Sequence, residues 1–403
     1  MLIHGATDKD IHPPLFGAAQ RAFGLYRGLA QRHQVHVLCM VPYRSGGAHE
    51  ERAAGVHLSR RRAWYTSAAW RLERLGLAPL TLAAHGHRAA ARRLSSLLGG
   101  RADALLVDLQ LSGLFEHSTA ALKVYLSHNV EADLFAALAP RMVARGAWVS
   151  WVRALEARAA ARADLVVAVS DEDATRFGAL YGVPPERLAV IPNGYDETAV
   201  RPPSPDERAR ARAALGIGEG DYACVFVGSD FAPNLAALSR LLAAFPALAS
   251  KGFRLIAAGR ATRVLAGRAE PWLIVGPEVD DLTPFLHAAD AGLNPVASGG
   301  GSNVKLPTYL AAGLAVLTTR FGLRGYPDLE PLVGVVDADP TRLAAALARR
   351  PAGWRARGLP VPPALEAYAW GRLGARLGEI LASHPALAGG APAPTAVAGR
   401  AQA

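Results

Sequence analysis

The stretch Ser298-Gly299-Gly300-Gly301-Ser302-Asn303-Val304-Lys305, continuing into Leu306-Pro307-Thr308-Tyr309-Leu310-Ala311-Ala312-Gly313, decides how the chain is read. An apolar strand pattern from Ala291 to Val296 precedes it, and another from Leu314 to Thr319 follows. Three consecutive glycines let the backbone approach a ligand without side chains in the way. A helix opening behind them, closed by Gly313, points its free N–H groups and positive dipole end at the same spot. Ser302 and Asn303 add short polar groups, and Lys305 adds a cation. Strand, glycine loop, helix and strand in that order describe an anion pocket at the carboxyl edge of a parallel sheet. Phosphate is the first candidate.

The same alternation runs outward in both directions. Strand patterns fall at Met1–Gly5, Val35–Val41, Gly55–Arg60, Ala104–Leu109, Lys123–Ser127, Leu165–Ser170 and Leu188–Ile191, with helices between them, notably Gly17–Arg32 and Asp133–Ala163. The second half repeats the plan at Tyr222–Gly228, Phe253–Ala258, Trp272–Val275, Ala291–Val296, Leu314–Thr319 and Val333–Val336. Near-continuous apolar strands separated by helices predict parallel sheets covered on both faces. Tyr195 to Asp206, with three prolines and several charges, reads as the linker between the halves. The expectation is an α/β chain of two doubly wound domains, residues 1–197 and 198–363, with ligands bound in the cleft between them. An amphipathic helix over 364–383 and a disordered Ala/Pro/Gly-rich tail over 384–403 complete the division.

Composition agrees. The chain has 403 residues, 51% hydrophobic and 19% charged, enough for real cores. No apolar run is long enough for a transmembrane helix, and the first residues read as a strand, not a signal peptide. Cys39 and Cys224 lie in strand patterns and read as buried free thiols of a reducing cytoplasm. The net charge of +10 favours anionic partners. Most of the excess is Arg spread along Ala-rich helices, and no zinc spacing or nucleic-acid-binding motif accompanies it.

Short motifs line up at strand ends: His12-Pro-Pro-Leu-Phe-Gly17, Ser127-His128-Asn129-Val130-Glu131, Val190-Ile-Pro-Asn-Gly194, Val227-Gly228-Ser229 with Pro233-Asn234, and Val275-Gly276-Pro-Glu-Val-Asp280. In this order the chain resembles the retaining glycosyltransferases of family four, specifically members with a triple glycine. It shares with them the GT-B arrangement of two facing Rossmann-like domains. The resemblance covers about Met1 to Ser383.

That resemblance implies a nucleotide-diphosphate-sugar donor on the second domain and a glycan, lipid-linked or small-molecule acceptor on the first. No cofactor besides the donor substrate is expected; no Asp-x-Asp strand end suits Mg²⁺, so the reaction reads as metal-independent, and no nucleic-acid partner is expected. Gly276, Glu278 and Val279 match the loop whose backbone reads the base. Gly228 and Ser229 match the loop near the diphosphate, with Asn234 beside them. Gly299, Gly300, Gly301, Ser302, Asn303 and Lys305 match the helix N-terminus that receives phosphates and donor sugar. Gly17 matches the first-domain loop facing them, and His128, with Asn129, a histidine contacting the donor sugar. His128 and Lys305 are the catalytic candidates. Two departures stand out: Thr308 replaces the carboxylate that holds the ribose, and Ser229 replaces an arginine. They leave open a non-catalytic nucleotide- or glycan-binding partner subunit and, further off, a nucleotide-sugar epimerase.

A basic, aromatic region containing Arg60–Arg62, Trp64, Tyr65, Trp70, Arg71, Arg88, Arg92 and Arg93 has two readings. One is peripheral contact with anionic lipid, placing a cytoplasmic protein at the inner face of the membrane. The other is a solvated helical face with its tryptophans in the core.

Overall fold

The computed structural model describes residues 1–42, 49–63, 92, 95–96, 98–138, 145–276, 281–349 and 361–388. The first half builds an eight-stranded sheet from β1 (Leu2–Thr7), β2 (Gln34–Pro42), β3 (His49–Ala53), β4 (Val56–Ala63), β5 (Ala104–Val107), β6 (Leu122–Leu126), β7 (Leu165–Ala168) and β8 (Leu188–Val190). Its order is β3-β4-β2-β1-β5-β6-β7-β8, and every neighbouring pair is parallel except β3–β4. β3 departs from the expected pattern. Its sequence, His-Glu-Glu-Arg-Ala, has no apolar alternation, because an edge strand needs no buried face on either side.

Strand residues point alternately to two cores. Ile3, Val35, Val37 and Leu106 pack with Leu25 and Leu29 of α1 (Gly17–Ala30). Leu38, Leu105, Val107 and Val166 pack on the opposite face with residues of α2 (Glu131–Leu138), α3 (Arg145–Arg162) and α4 (Asp171–Tyr181). The helix expected over Asp133–Ala163 is represented among the described residues by α2 and α3; residues 139–144 lie outside them.

The connection between the halves ends in α5 (Pro205–Ala214), opened by a capping box of Ser204 and Glu207. The second sheet holds β9 (Tyr222–Val227), β10 (Phe253–Ala258), β11 (Leu273–Val275), β12 (Ala291–Asn294), β13 (Ala315–Thr318) and β14 (Gly334–Val335), in the order β11-β10-β9-β12-β13-β14. Strand order reverses between β9 and β12, so loops following these two strands diverge and leave a crevice. α6 (Ala232–Ala244) begins beyond β9, and α7 (Lys305–Ala311) beyond β12. The first sheet has its own reversal between β1 and β5.

The chain then returns. Tyr195 and Ala369 pair as a parallel bridge, with the Tyr195 N–H donating to Tyr368 O at 3.0 Å and the Trp370 N–H to Tyr195 O at 3.1 Å. This pairing splits the expected 364–383 helix into Pro363–Glu366 and α8 (Trp370–Ser383). Trp370, Leu373, Leu377 and Leu381 form one helical stripe and join the core of the first sheet. α8 crosses α1 closely enough that a Cβ at Gly374 would stand 2.4 Å from Gly28 Cα. Residues 389–403, most of the expected tail, and 64–91, most of the basic aromatic region, lie outside the described residues. Among the described residues no helix is long and apolar enough to cross a membrane.

Candidate active-site cleft

Both reversal points open onto one cleft of about 590 Å³, a size suited to a small-molecule ligand. Gly17, Arg21, His128 and Asn129 line it from the first domain; Gly228, Ser229, Asn234, Arg260, Gly299–Lys305 and Thr308 line it from the second. Every sequence candidate within the described residues lines this cleft except Gly276. That glycine follows β11, with its N–H donating to Ala257 O at 2.8 Å, and a Cβ there would lie 2.9 Å from the Phe285 ring. Glu278 and Val279 lie outside the described residues.

The glycine run does something the sequence does not reveal. A Cβ on Gly300 would stand 2.8 Å from Asn129 Oδ1, and one on Gly301 2.6 Å from His128 O. What presses against this backbone is the other domain. Gly299 and Gly301 also hold φ of +134° and +62°, conformations that side chains resist. Ser302 belongs to the same contact: its hydroxyl accepts from the Asn193 N–H at 3.1 Å, and its carbonyl from Asn193 Nδ2 at 2.7 Å. Asn303 Oδ1 accepts from the Lys305 N–H at 3.1 Å, at the start of α7.

Lys305 reaches Asn234 Oδ1 at 2.6 Å, and Asn234 Nδ2 donates to Ser229 Oγ at 2.9 Å. The ammonium also lies 5.5 Å from the Phe226 ring centroid. Burial pushes its pKa down to about 8. Arg260, just beyond neighbouring β10, lines the same cleft, and among the described lining residues the one carboxylate is Asp230. The cleft that Ser229 lines therefore also has a cationic side chain from the loop after the next strand. Thr308 Oγ1 donates to Val304 O at 2.9 Å, so its hydroxyl proton is committed within its own helix.

On the first-domain wall, His128 Nε2 lies 3.2 Å from Asp108 Oδ1. Thr7 Oγ1 at 2.6 Å and Lys9 Nζ at 3.1 Å meet the other Asp108 oxygen. Burial opposes ionisation of the Asp108 carboxyl, but the Lys9 charge and the hydrogen bonds from His128 and Thr7 outweigh it and hold the carboxyl well below the usual range. An ionised Asp108 requires the proton on Nε2 of neutral His128, whose pKa burial lowers. Nδ1 then carries a lone pair, and among the described residues it has no partner.

Asp108, Lys9, Arg260 and Arg21 were not singled out from sequence. Arg21 is 1% exposed; its Nη1 donates to Ile191 O at 2.7 Å and Pro192 O at 3.1 Å, and its Nε to Ser127 O at 3.2 Å. It ties the Ile-Pro-Asn-Gly segment to the Ser-His-Asn segment, which is why both motifs end at this wall. Glu131 stands behind the wall. It does not cap α2: buried Glu156 accepts from the Glu131 and Ala132 N–H groups at 2.9 and 3.0 Å. Burial and Glu156 together raise the Glu131 pKa to about 7.

Comparison with known proteins follows this division. A family profile described as Glycosyltransferase Family 4 matches residues 17–199, and one described as Glycosyl transferases group 1 matches residues 221–350. A D-inositol 3-phosphate glycosyltransferase of Acidothermus cellulolyticus is 31% identical over 217 residues, 48% of this chain and 47% of that protein. One from Nocardia farcinica is 43% identical over 68 residues, 17% of this chain and 14% of that protein. The matches thus span about half the length of these curated relatives, or less. Sucrose-phosphate synthase from Thermosynechococcus elongatus superposes with a TM-score of 0.72 at 14% identity, covering 94% of this chain and 98% of its own. HepE of Anabaena, solved with UDP and glucose, gives 0.63 at 16% identity over 94% and 99%. These neighbours have the GT-B fold, and with one profile on each domain the chain belongs to glycosyltransferase family 4.

Proposed function

We propose that the chain transfers a sugar from a nucleotide-diphosphate sugar to an acceptor held against the first-domain wall. The observation that carries this reading is Lys305: a desolvated ammonium in the interdomain cleft, held by neutral Asn234 and a ring face. Such a cation is poorly compensated until an anion arrives. The diphosphate supplies that anion, and its charge grows as it leaves, which is when a fixed cation helps most. Arg260 lines the same space. With these charges in place the reaction needs no metal.

In the proposed step the acceptor oxygen bonds to the anomeric carbon as the bond from that carbon to the β-phosphate oxygen breaks. The acceptor proton passes to the departing phosphate, which leaves from the face under attack, so configuration is retained. His128 Nδ1 accepts a hydrogen bond from a donor-sugar hydroxyl, with Asp108 fixing the tautomer. The relatives' names include inositol-phosphate, sucrose-phosphate and trehalose-phosphate acceptors or products, which supports a polar acceptor. A lipid-linked acceptor with peripheral membrane contact is the finer alternative, resting on the basic, aromatic sequence between Arg60 and Arg93.

Incubation with a panel of nucleotide sugars, with and without candidate acceptors, tests the proposal through release of nucleoside diphosphate. Release that Lys305→Ala abolishes supports it. Nucleotide binding without turnover for any pair tried overturns it and favours the partner-subunit reading, for which the committed Thr308 hydroxyl speaks.

A further inference from the structure

Away from the cleft, the outer strands of the first sheet bring together a donor set that the sequence scatters. Parallel pairing of β2 and β4 sets His36 opposite His57, and their rings stack at 4.5 Å between centroids with 16° between planes. β3, antiparallel to β4, contributes Glu50, whose Oε2 lies 2.9 Å from His57 Nε2. Ser59 joins the remaining pair: its Oγ is 2.6 Å from His36 Nε2 and donates to Glu50 Oε2 at 2.5 Å. One ligand atom each from His36, Glu50 and His57 falls within 4.8 Å of the others. Tetrahedral ligands 2.0–2.1 Å from a zinc ion are separated by about 3.3 Å, so small side-chain rotations bring these atoms to coordinating distance.

We propose that His36, Glu50 and His57 bind one divalent transition-metal ion of the zinc type. Two imidazoles and a carboxylate are a donor set that suits zinc and leaves a fourth position, for which Ser59 or water is at hand. Arg61 Nη2 lies 2.5 Å from the other Glu50 oxygen, which orients Oε2 toward the imidazoles; its charge opposes the ion, while Glu50 offsets it. His4, edge-on to His36 with centroids 5.6 Å apart, packs beside the set without joining it.

Such an ion would pin the edge strand. β3 meets the sheet only through β4, and its five residues include the exposed His49 and Glu50. Linking Glu50 to both β4 and β2 adds a cross-strand tie beyond the ladder. The effect reaches the cleft: Glu51 on the same strand pairs with buried Arg60, which also holds Asp10 at 2.9 Å and the His12 carbonyl. That loop continues into Pro14–Gly17 of the cleft wall.

The test uses the full chain, stripped with a chelator, titrated with zinc against a chromophoric competitor, and followed in parallel by thermal melting and by the visible bands of cobalt(II). The expected result is one equivalent bound, a zinc-dependent rise in Tm, and tetrahedral-type cobalt bands. Affinity should fall at least about tenfold in Glu50→Gln and in His57→Ala, and binding should vanish in His36→Gln/His57→Gln. No binding at tens of micromolar zinc overturns the proposal, as does affinity unchanged in the double variant. Should the double variant fold poorly by circular dichroism, His57→Ala, at the partly exposed end of the set, decides alone. None of these readouts depends on sugar transfer.

Discussion

Lys305→Met should cost activity without costing stability. The substitution keeps the length of the side chain and removes its charge. In the folded chain the lysine pKa falls from 10.5 to about 8 because the ammonium is desolvated. At about 1.4 kcal/mol per tenfold in proton affinity this corresponds to about 3 kcal/mol held against the fold; water entering the cleft screens part, leaving about 1–2 kcal/mol. Methionine forfeits the 2.6 Å hydrogen bond to Asn234, worth about 1–2 kcal/mol. The ligand-free variant should therefore melt within about 2 °C of the wild type, or above it. Nucleoside diphosphate release should meanwhile drop about 10²- to 10³-fold, as when one fixed transition-state donor is lost. The pH dependence gives an independent reading. Between pH 8 and 10.5 the unfolded lysine keeps its proton while the folded one sheds it, so wild-type stability gains a rising contribution that Lys305→Met lacks. A variant melting many degrees lower, with the same stability profile above pH 8, would refute a desolvated, anion-seeking ammonium. Turnover within a few-fold of wild type would refute its role in charge stabilisation.

Glu131, raised to about 7, gives the opposite pH slope: between its ordinary value and 7 the folded state binds more protons, so stability falls as pH rises from about 5 to 8. Glu131→Gln should flatten that fall by about 1–2 kcal/mol in urea titrations, and an unchanged slope would assign it elsewhere. Gly301→Ala meets both a φ of +62° and the His128 carbonyl at 2.6 Å, so the domains must part. Small-angle scattering should show a larger radius of gyration, and KM for the donor should rise about tenfold; identical scattering would mean the loop yields instead. Gly374→Val drives a branched side chain into the α1 backbone and should cost about 3 kcal/mol or more, measured by denaturant unfolding. A cost below about 1 kcal/mol would show that α8 detaches from the first domain at little expense.

Much of the fold could be read because parallel strands buried on both faces are apolar throughout; β9 and β10 fall within a residue of their sequence patterns. β3 could not, since its charged residues are stabilised by partners on β4 and not by a core. The cleft was legible where glycines and strand ends mark it. Arg21 was not: among 44 lysines and arginines nothing local distinguishes it, and its partners sit more than 100 residues away. Asp108 is similar, its importance set by His128 and Lys9 arriving from two other strand ends. The glycine run announces the right property and hides the neighbour. Sequence shows that something must come close to Gly300 and Gly301, and only the fold shows that His128 and Asn129 do.

The return of α8 to the first sheet also sets an order of events during synthesis. Trp370, Leu373, Leu377 and Leu381 complete a core whose other members, from Ile3 to Ile191, are translated long before. At 5–20 residues per second, about 10–40 s separate the emergence of β8 from that of the end of α8. For that interval the nascent first domain carries an uncovered apolar groove along α1, while the second domain, β9 to β14, can close on its own core as soon as it leaves the ribosome. The half that is made first is finished last, so a ribosome stall between residues 200 and 370 should recruit chaperones to α1, not to the domain being made.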